Sequence, residues 1–297
     1  MKYAVIDIGS NTVRLCAYEI EGEHISLYLN RRVMALLGSK TQNGALTDEG
    51  IDAACDALSQ LKVPLQEAQV QKTLVFATAA LRNITNSKEA VETISRRTGF
   101  SIEVLSGENE ALLTFMGAGC GRSLTDGVLA DIGGGSSELI LIKNGMPVKT
   151  ASLPIGSLTA FVRFVGKRPA TKKQIEKLRA HVRTMIEAHF SPEDTGAVIY
   201  GIGGAARSAY ELEKLLDPAS GGAVKALETL LARLLADEEL AEKSILQASP
   251  ERLDTALPGL AILCETAHFF GCKQMEICNG GVREGYLLRC LEKREGA

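Results

Sequence analysis

The sequence predicts a two-domain α/β protein, and three observations carry that prediction. A strand, a glycine turn and a second strand are written twice, at residues 3–20 and again at 128–142. Strand and helix signals alternate between and after the two copies, as α/β units require. The length of 297 residues exceeds one ordinary domain and fits two of roughly 150 residues, each able to bury its own core. Two similar domains, each opening with a sheet and presenting its turn to a shared cleft, are the expected organisation.

In the first copy Tyr3 to Ile6 is β-prone, Asp7-Ile8-Gly9-Ser10-Asn11 turns, and Val13, Leu15 and Ala17 alternate with Arg14 and Cys16. In the second, Val128 to Ala130 leads into Asp131-Ile132-Gly133-Gly134-Gly135-Ser136-Ser137-Glu138 and then Leu139-Ile140-Leu141-Ile142. Asp7 and Asp131 open the copies, and Arg14 and Glu138 stand at the same offset from them. Between the copies Thr47 with Asp48 and Glu49 predicts a helix to about Leu61, since acidic residues in a first turn suit the helix dipole. Leu74 to Ala77 reads as a buried strand, Ser87 to Arg97 as a helix stopped by Gly99, and Ile102 to Leu105 as a strand. Ser106-Gly107 then turns into a helix with Glu108, Asn109 and Glu110 in its first turn. In the second half Thr171-Lys172-Lys173-Gln174 is a capping box, and Val198 to Ile202 is a strand running into Gly203-Gly204. Leu227 to Leu246 reads as one leucine-rich amphipathic helix, Ser249-Pro250-Glu251 as the start of another, and Pro218 to Gly222 as an exposed loop.

Composition narrows the function classes. Lys plus Arg number 33 against 36 Asp plus Glu, a net charge of -3, so no global field draws the chain to nucleic acid or membrane, and an anionic substrate has to be held locally. The cysteines at 16, 55, 120, 264, 272, 278 and 290 form no C-x-x-C pair, and four histidines accompany them. Neither a zinc cage nor a disulfide framework is expected, only scattered thiols in a reducing compartment. Met1-Lys2-Tyr3-Ala4-Val5-Ile6-Asp7 reaches a carboxylate too early for a signal-peptide core, and no run approaches the roughly 18 apolar residues of a membrane span. A cytoplasmic protein is expected.

Three glycine turns follow strands: Gly9-Ser10-Asn11, Gly133-Gly134-Gly135-Ser136 and Gly201-Ile202-Gly203-Gly204. Glycine lets backbone N–H groups close in on an anion, phosphate above all. One such turn is commonly a mere hairpin feature; three, two of them in repeated context, predict phosphate binding at Gly9, Ser10, Asn11, Gly133, Gly134, Gly135, Ser136, Gly203 and Gly204. Asp131 and Asp7 stand at the strand ends and are candidate ligands for Mg²⁺, a hard cation that keeps several waters and uses one or two carboxylates. The plainer role for an aspartate there is to shape the turn.

Asp7-Ile8-Gly9-Ser10-Asn11-Thr12, Thr78-Ala79-Ala80-Leu81-Arg82-Asn83, Ser106-Gly107-Glu108-Asn109-Glu110-Ala111, the Asp131 to Glu138 motif and Gly281-Val282-Arg283-Glu284-Gly285 together resemble the exopolyphosphatase and guanosine pentaphosphate phosphohydrolase (Ppx/GppA) family, in order and over essentially the whole chain. The resemblance implies two ribonuclease-H-like domains of the actin, sugar kinase and heat-shock chaperone superfamily with the active site in an interdomain cleft. Domain I would comprise 1–122 plus the C-terminal helix 283–297, and domain II 123–282. It implies metal-dependent release of orthophosphate from inorganic polyphosphate. Glu110 would activate water, Glu138 position water and metal, Asp131 bind the cation and Arg82 meet the phosphate, with Arg207 and Arg283 as weaker candidates. Mg²⁺ is the implied cofactor, K⁺ a second candidate, and a homodimer the implied assembly. The chemistry is coherent, because water attack on a phosphoanhydride needs a carboxylate, donors on the equatorial oxygens and a cation.

Two departures stand out. Leu112 replaces a common family arginine in Glu110-Ala111-Leu112, which touches substrate grip more than chemistry, and the additional helical domains of longer members are not in this sequence. A basic stripe at 167–183, with Lys167, Arg168, Lys172, Lys173, Lys177, Arg179 and Arg183 against Glu176, either attracts an extended polyanion or is simply a solvated helix face. Three other readings stay open: guanosine pentaphosphate as substrate, an ATP-dependent small-molecule kinase of the same fold, and an inactive regulatory module.

Overall fold

A computed structural model of the chain describes residues 1–22 and 24–295. It comprises two compact units, one of Met1–Leu113 with the segment from Arg283 onward, the other Thr114–Val282.

The first unit opens with β1 (Lys2–Ile8), β2 (Thr12–Glu21) and β3 (His24–Met34), followed by a small ribbon of β4 (Thr41–Gln42) and β5 (Ala45–Leu46). Helices α1 (Asp48–Gln60) and α2 (Lys62–Glu67) lead to β6 (Lys72–Ala77), and α3 (Ala79–Arg82) and α4 (Ser87–Thr98) lead to β7 (Ile102–Val104) and α5 (Gly107–Ala118). The sheet order is β3-β2-β1-β6-β7, with the β1–β2 and β2–β3 pairs antiparallel and β6 parallel to β1. The Thr47 hydroxyl accepts from the Gly50 amide at 3.2 Å, which starts α1 where the acidic first turn predicts it. Ala4, Ile6 and Ile8 of β1 alternate into a core completed by Ala54 and Leu58 of α1 and by Val75 and Ala77 of β6.

The second unit repeats this topology. Strands β8 (Gly127–Ile132), β9 (Ser137–Lys143) and β10 (Met146–Leu153) precede α6 (Ser157–Ala160), a π-helical turn at Phe161–Val165, and α7 (Lys172–Glu187). Then come β11 (Val198–Ile202), α8 (Gly203–Leu216), α9 (Val224–Ala236), α10 (Glu238–Ala248), a 3₁₀ turn at Pro250–Arg252, α11 (Ala256–Phe269) and β12 (Gln274–Ile277). The order β10-β9-β8-β11-β12 is that of the first sheet, strand for strand. The capping box at Thr171 and Gln174 opens α7 as predicted.

Two expectations are corrected. The single helix from Leu227 to Leu246 is broken at Asp237, whose extended backbone (φ -135°) ends α9 and whose carboxylate accepts from the Leu240 amide at 2.9 Å to cap α10. Ser249-Pro250-Glu251 opens only a 3₁₀ turn, and α11 begins at Ala256. Five of the cysteines are buried, Cys120 is exposed and Cys290 lies between. Among the described residues no helix is long and apolar enough to cross a membrane.

Helix α12 (Val282–Glu295) belongs to the first unit from Arg283 onward. Tyr286 packs against Phe76 with the rings tilted by 39° and 4.8 Å between centroids and donates its hydroxyl to Glu103 at 2.6 Å, and Arg289 reaches the same carboxylate at 2.8 Å. A methyl group on Gly285 would lie 1.8 Å from the Leu113 carbonyl oxygen of α5, so glycine there is a requirement of close helix packing. Gly285→Ala should therefore destabilise the protein by about 1–3 kcal/mol, the usual cost of overpacking, seen as a lowered urea midpoint with unchanged slope.

Candidate functional site

The repeated hairpins agree down to single hydrogen bonds. The Gly9 amide donates to the Thr12 carbonyl at 3.0 Å and the Gly133 amide to the Ser136 carbonyl at 2.9 Å. These two amides are thus consumed in closing their turns. Among the described residues no hydrogen bond leaves the backbone amides of Ser10, Asn11, Gly134 or Gly135, which keeps them available to an anion. Their carbonyls are held from behind. Ser10 O accepts from Gly38 at 2.8 Å, and Asn11 O from Ala35 and Leu36 at 3.0 Å. Gly133 O accepts from the Ser157 amide at 2.8 Å, and Gly134 O from Leu158 and Thr159 at 3.0 Å. The Gly133-Gly134 pair is packed so tightly that a methyl on Gly156 would come within 2.6 Å of it. Glycine at 9 and 133 serves close approach: a Cβ there would lie 3.3 Å from the Thr12 carbonyl oxygen and 3.2 Å from that of Ser136. Gly203 has a positive φ, +78°.

Register places the charged residues. Asp131 pairs with Glu138 across β8 and β9, and Glu138 with Ser152 across β9 and β10, so the three stand in one row. Directly opposed side chains share a face with Cβ atoms roughly 4.5–5.5 Å apart. Glu138 is buried, and its Oε1 accepts from the Ser152 hydroxyl at 2.9 Å. The Gly203-Gly204 turn reaches the same row. A Cβ on Gly203 would lie 2.6 Å from Asp131 Oδ1, and one on Gly204 would fall 1.5 Å from Arg252 Nη2. Arg252, over the glycine turn, is a site residue that sequence reasoning missed; its place follows from the 3₁₀ turn at Pro250–Arg252, which carries no phosphate motif.

In the first unit the equivalent row is Asp7, Arg14 and Arg32 on β1, β2 and β3. Asp7 Oδ2 also accepts from Arg283 Nη1 of α12 at 2.9 Å, and both side chains are 15% exposed. Burial pushes the Asp7 carboxyl above its ordinary range, and the Arg283 and Arg14 guanidiniums oppose that push. The next residue, Glu284, accepts from Tyr18 at 2.5 Å. At the start of α5 the buried Glu110 is ion-paired with Arg82 of α3, which also donates to the Leu105 carbonyl at 3.2 Å. Helix α5 carries Leu112 exposed to solvent.

The structure thus brings Glu110 to Arg82 and Asp7 to Arg283 in the first unit, and Asp131 to Glu138 and Gly203 in the second. Among the described residues no cluster of three or more His, Cys, Asp or Glu could hold a metal. The all-oxygen donor set of Asp131 and Glu138 nevertheless fits Mg²⁺, which takes one or two carboxylates and completes its shell with water. The basic stripe is largely spent on ion pairs: Arg168 with Asp254 and Glu242, Arg179 with Glu228 and Glu265, Arg183 with Glu265, and Lys172 with Glu176.

Residues 18–294 match the Ppx/GppA phosphatase family. An uncharacterized protein of Streptomyces coelicolor is 28% identical over 311 aligned positions, covering 98% of this chain and 91% of that protein. The Aquifex aeolicus PPX-GPPA enzyme superposes with a TM-score of 0.78 at 25% identity, over 97% of this chain and 99% of that one. An exopolyphosphatase from Cytophaga hutchinsonii superposes with a TM-score of 0.84 at 21% identity, over 99% and 98%. The fold is the two-domain α/β type with ribonuclease-H-like domains of the actin, sugar kinase and heat-shock chaperone superfamily.

The buried Arg82–Glu110 pair should show in a double-mutant cycle. Arg82→Ala, Glu110→Gln and the double variant are expected to give a coupling of about 1–3 kcal/mol in urea denaturation, and additive losses would mean that the two groups do not depend on each other.

Proposed function

We propose that this chain, which belongs to the Ppx/GppA phosphatase family, is an exopolyphosphatase that hydrolyses the terminal phosphoanhydride of inorganic polyphosphate and releases orthophosphate. The observation that carries the reading is Glu110, a buried carboxylate at the start of α5 held by Arg82. A carboxylate so placed can orient a water molecule and accept its proton. Arg82 would also meet equatorial phosphate oxygens, the amides of Ser10 and Asn11 in the same unit would be donors for the chain oxygens, and the second unit offers those of Gly134 and Gly135. Asp131 and Glu138 would hold the divalent cation, which when bound offsets the charge that builds on the transferring phosphoryl group. Ser152 keeps the Glu138 carboxylate in one orientation through its 2.9 Å hydrogen bond.

One observation favours the second reading, guanosine pentaphosphate as substrate. Three arginines of the stripe at 167–183 are already neutralised by carboxylates, which weakens the track a long polymer would follow and suits a short phosphate chain.

Purified protein with Mg²⁺ should release orthophosphate from polyphosphate, guanosine pentaphosphate or both, and leave ATP comparatively untouched. Glu110→Gln keeps the shape and removes the base, so kcat should fall by about 10²–10⁴-fold while substrate binding survives. Unchanged turnover in this variant would remove Glu110 from the mechanism, and silence of the wild type on all three substrates would return the kinase and regulatory readings.

A further inference from the structure

The two copies of the hairpin have the same backbone and different side chains in their rows, and Arg252 lies over the glycine turn beside the second. The second row carries Asp131, Glu138 and Ser152, two carboxylates and a hydroxyl. The first carries Asp7, Arg14 and Arg32, one carboxylate and two guanidiniums, and Arg283 joins it from α12 at 2.9 Å from Asp7. A carboxylate already matched to guanidiniums offers a divalent cation little, because the metal would have to displace a charge-assisted hydrogen bond and sit beside like charges.

Resting on the hydrolase reading above, we infer that Asp7 is not a metal ligand: Arg283 permanently takes the cation's place there, and the Asp7–Arg283 pair positions the Gly9–Asn11 turn for phosphate while the chain's divalent cation belongs to the second copy alone. Asp7 is the last residue but one of β1, and the turn follows it directly. Fixing Asp7 to α12 fixes the strand end from which the Ser10 and Asn11 amides are aimed. Arg283 is thus a positioning residue that acts through Asp7.

The test uses the full chain, with Mn²⁺ binding followed by electron paramagnetic resonance and orthophosphate affinity by calorimetry. Asp7→Asn combined with Arg283→Met removes both charges at similar volume, a replacement that buried pairs commonly tolerate. This variant is expected to bind one Mn²⁺ per chain within about twofold of wild type and to bind orthophosphate at least tenfold more weakly. Asp131→Asn is expected to lose Mn²⁺ at least tenfold. Arg283→Lys keeps the charge and should restore part of the orthophosphate affinity; it also decides the matter if the paired variant does not fold, by retaining full Mn²⁺ binding. Tenfold loss of Mn²⁺ from the paired variant or from Arg283→Lys, or unchanged orthophosphate affinity in the paired variant, overturns the inference and leaves the hydrolase reading standing. A wild-type chain that binds no Mn²⁺ overturns both.

Discussion

The registration of β8 against β9 is the constraint on which the chemistry of the second unit rests. Side chains alternate faces along a strand, so a slip of one residue would send Asp131 and Glu138 to opposite sides of the sheet. Register is held by the turn between them, closed by the Gly133 amide on the Ser136 carbonyl. Strand β9 is buried on both faces, so its apolar residues do not by themselves distinguish one register from the next, and the closed turn has to set it. The price of placing two carboxylates opposite each other is thereby met by the packing of the whole layer, and Ser152 and the Gly203-Gly204 turn complete the row.

Much of this was legible in the sequence because local chemistry and tertiary structure agree there. The hairpins at 3–20 and 128–142, the Thr47 and Thr171 caps and the strand entering Gly203 all form where their residues predict. Asp7, Arg14, Asp131 and Glu138 could be matched across the copies by offset alone, and the register pairs them as that offset implies.

What was hidden was hidden for physical reasons. Strand β3 has no buried residue in its burial pattern, so it carries no alternation to read. Helix α11 is buried on nearly every side and therefore lacks an amphipathic period. The break at Asp237 was lost inside a leucine-rich run because a single capping aspartate looks like any surface acid until its partner amide is known. Arg252 and the fate of the stripe arginines depend on contacts far apart in sequence: Arg168 finds Asp254, and Arg179 finds Glu228 and Glu265. No periodicity or motif announces such pairs.

The placement of α12 in the first unit has a consequence for the order in which the molecule is made. The strands, turns and Arg82–Glu110 pair of that unit are all encoded ahead of the second unit, whereas Arg283, Tyr286 and Arg289 are encoded behind it. Domains generally fold as units as they leave the ribosome. The second unit, a continuous segment, has its whole chain available before the first unit receives the helix that pairs Asp7 and covers Phe76. Synthesis therefore has the whole of the later-encoded unit available first, and the strand end before the Gly9–Asn11 turn of the earlier one meets Arg283 only after the second unit has been made.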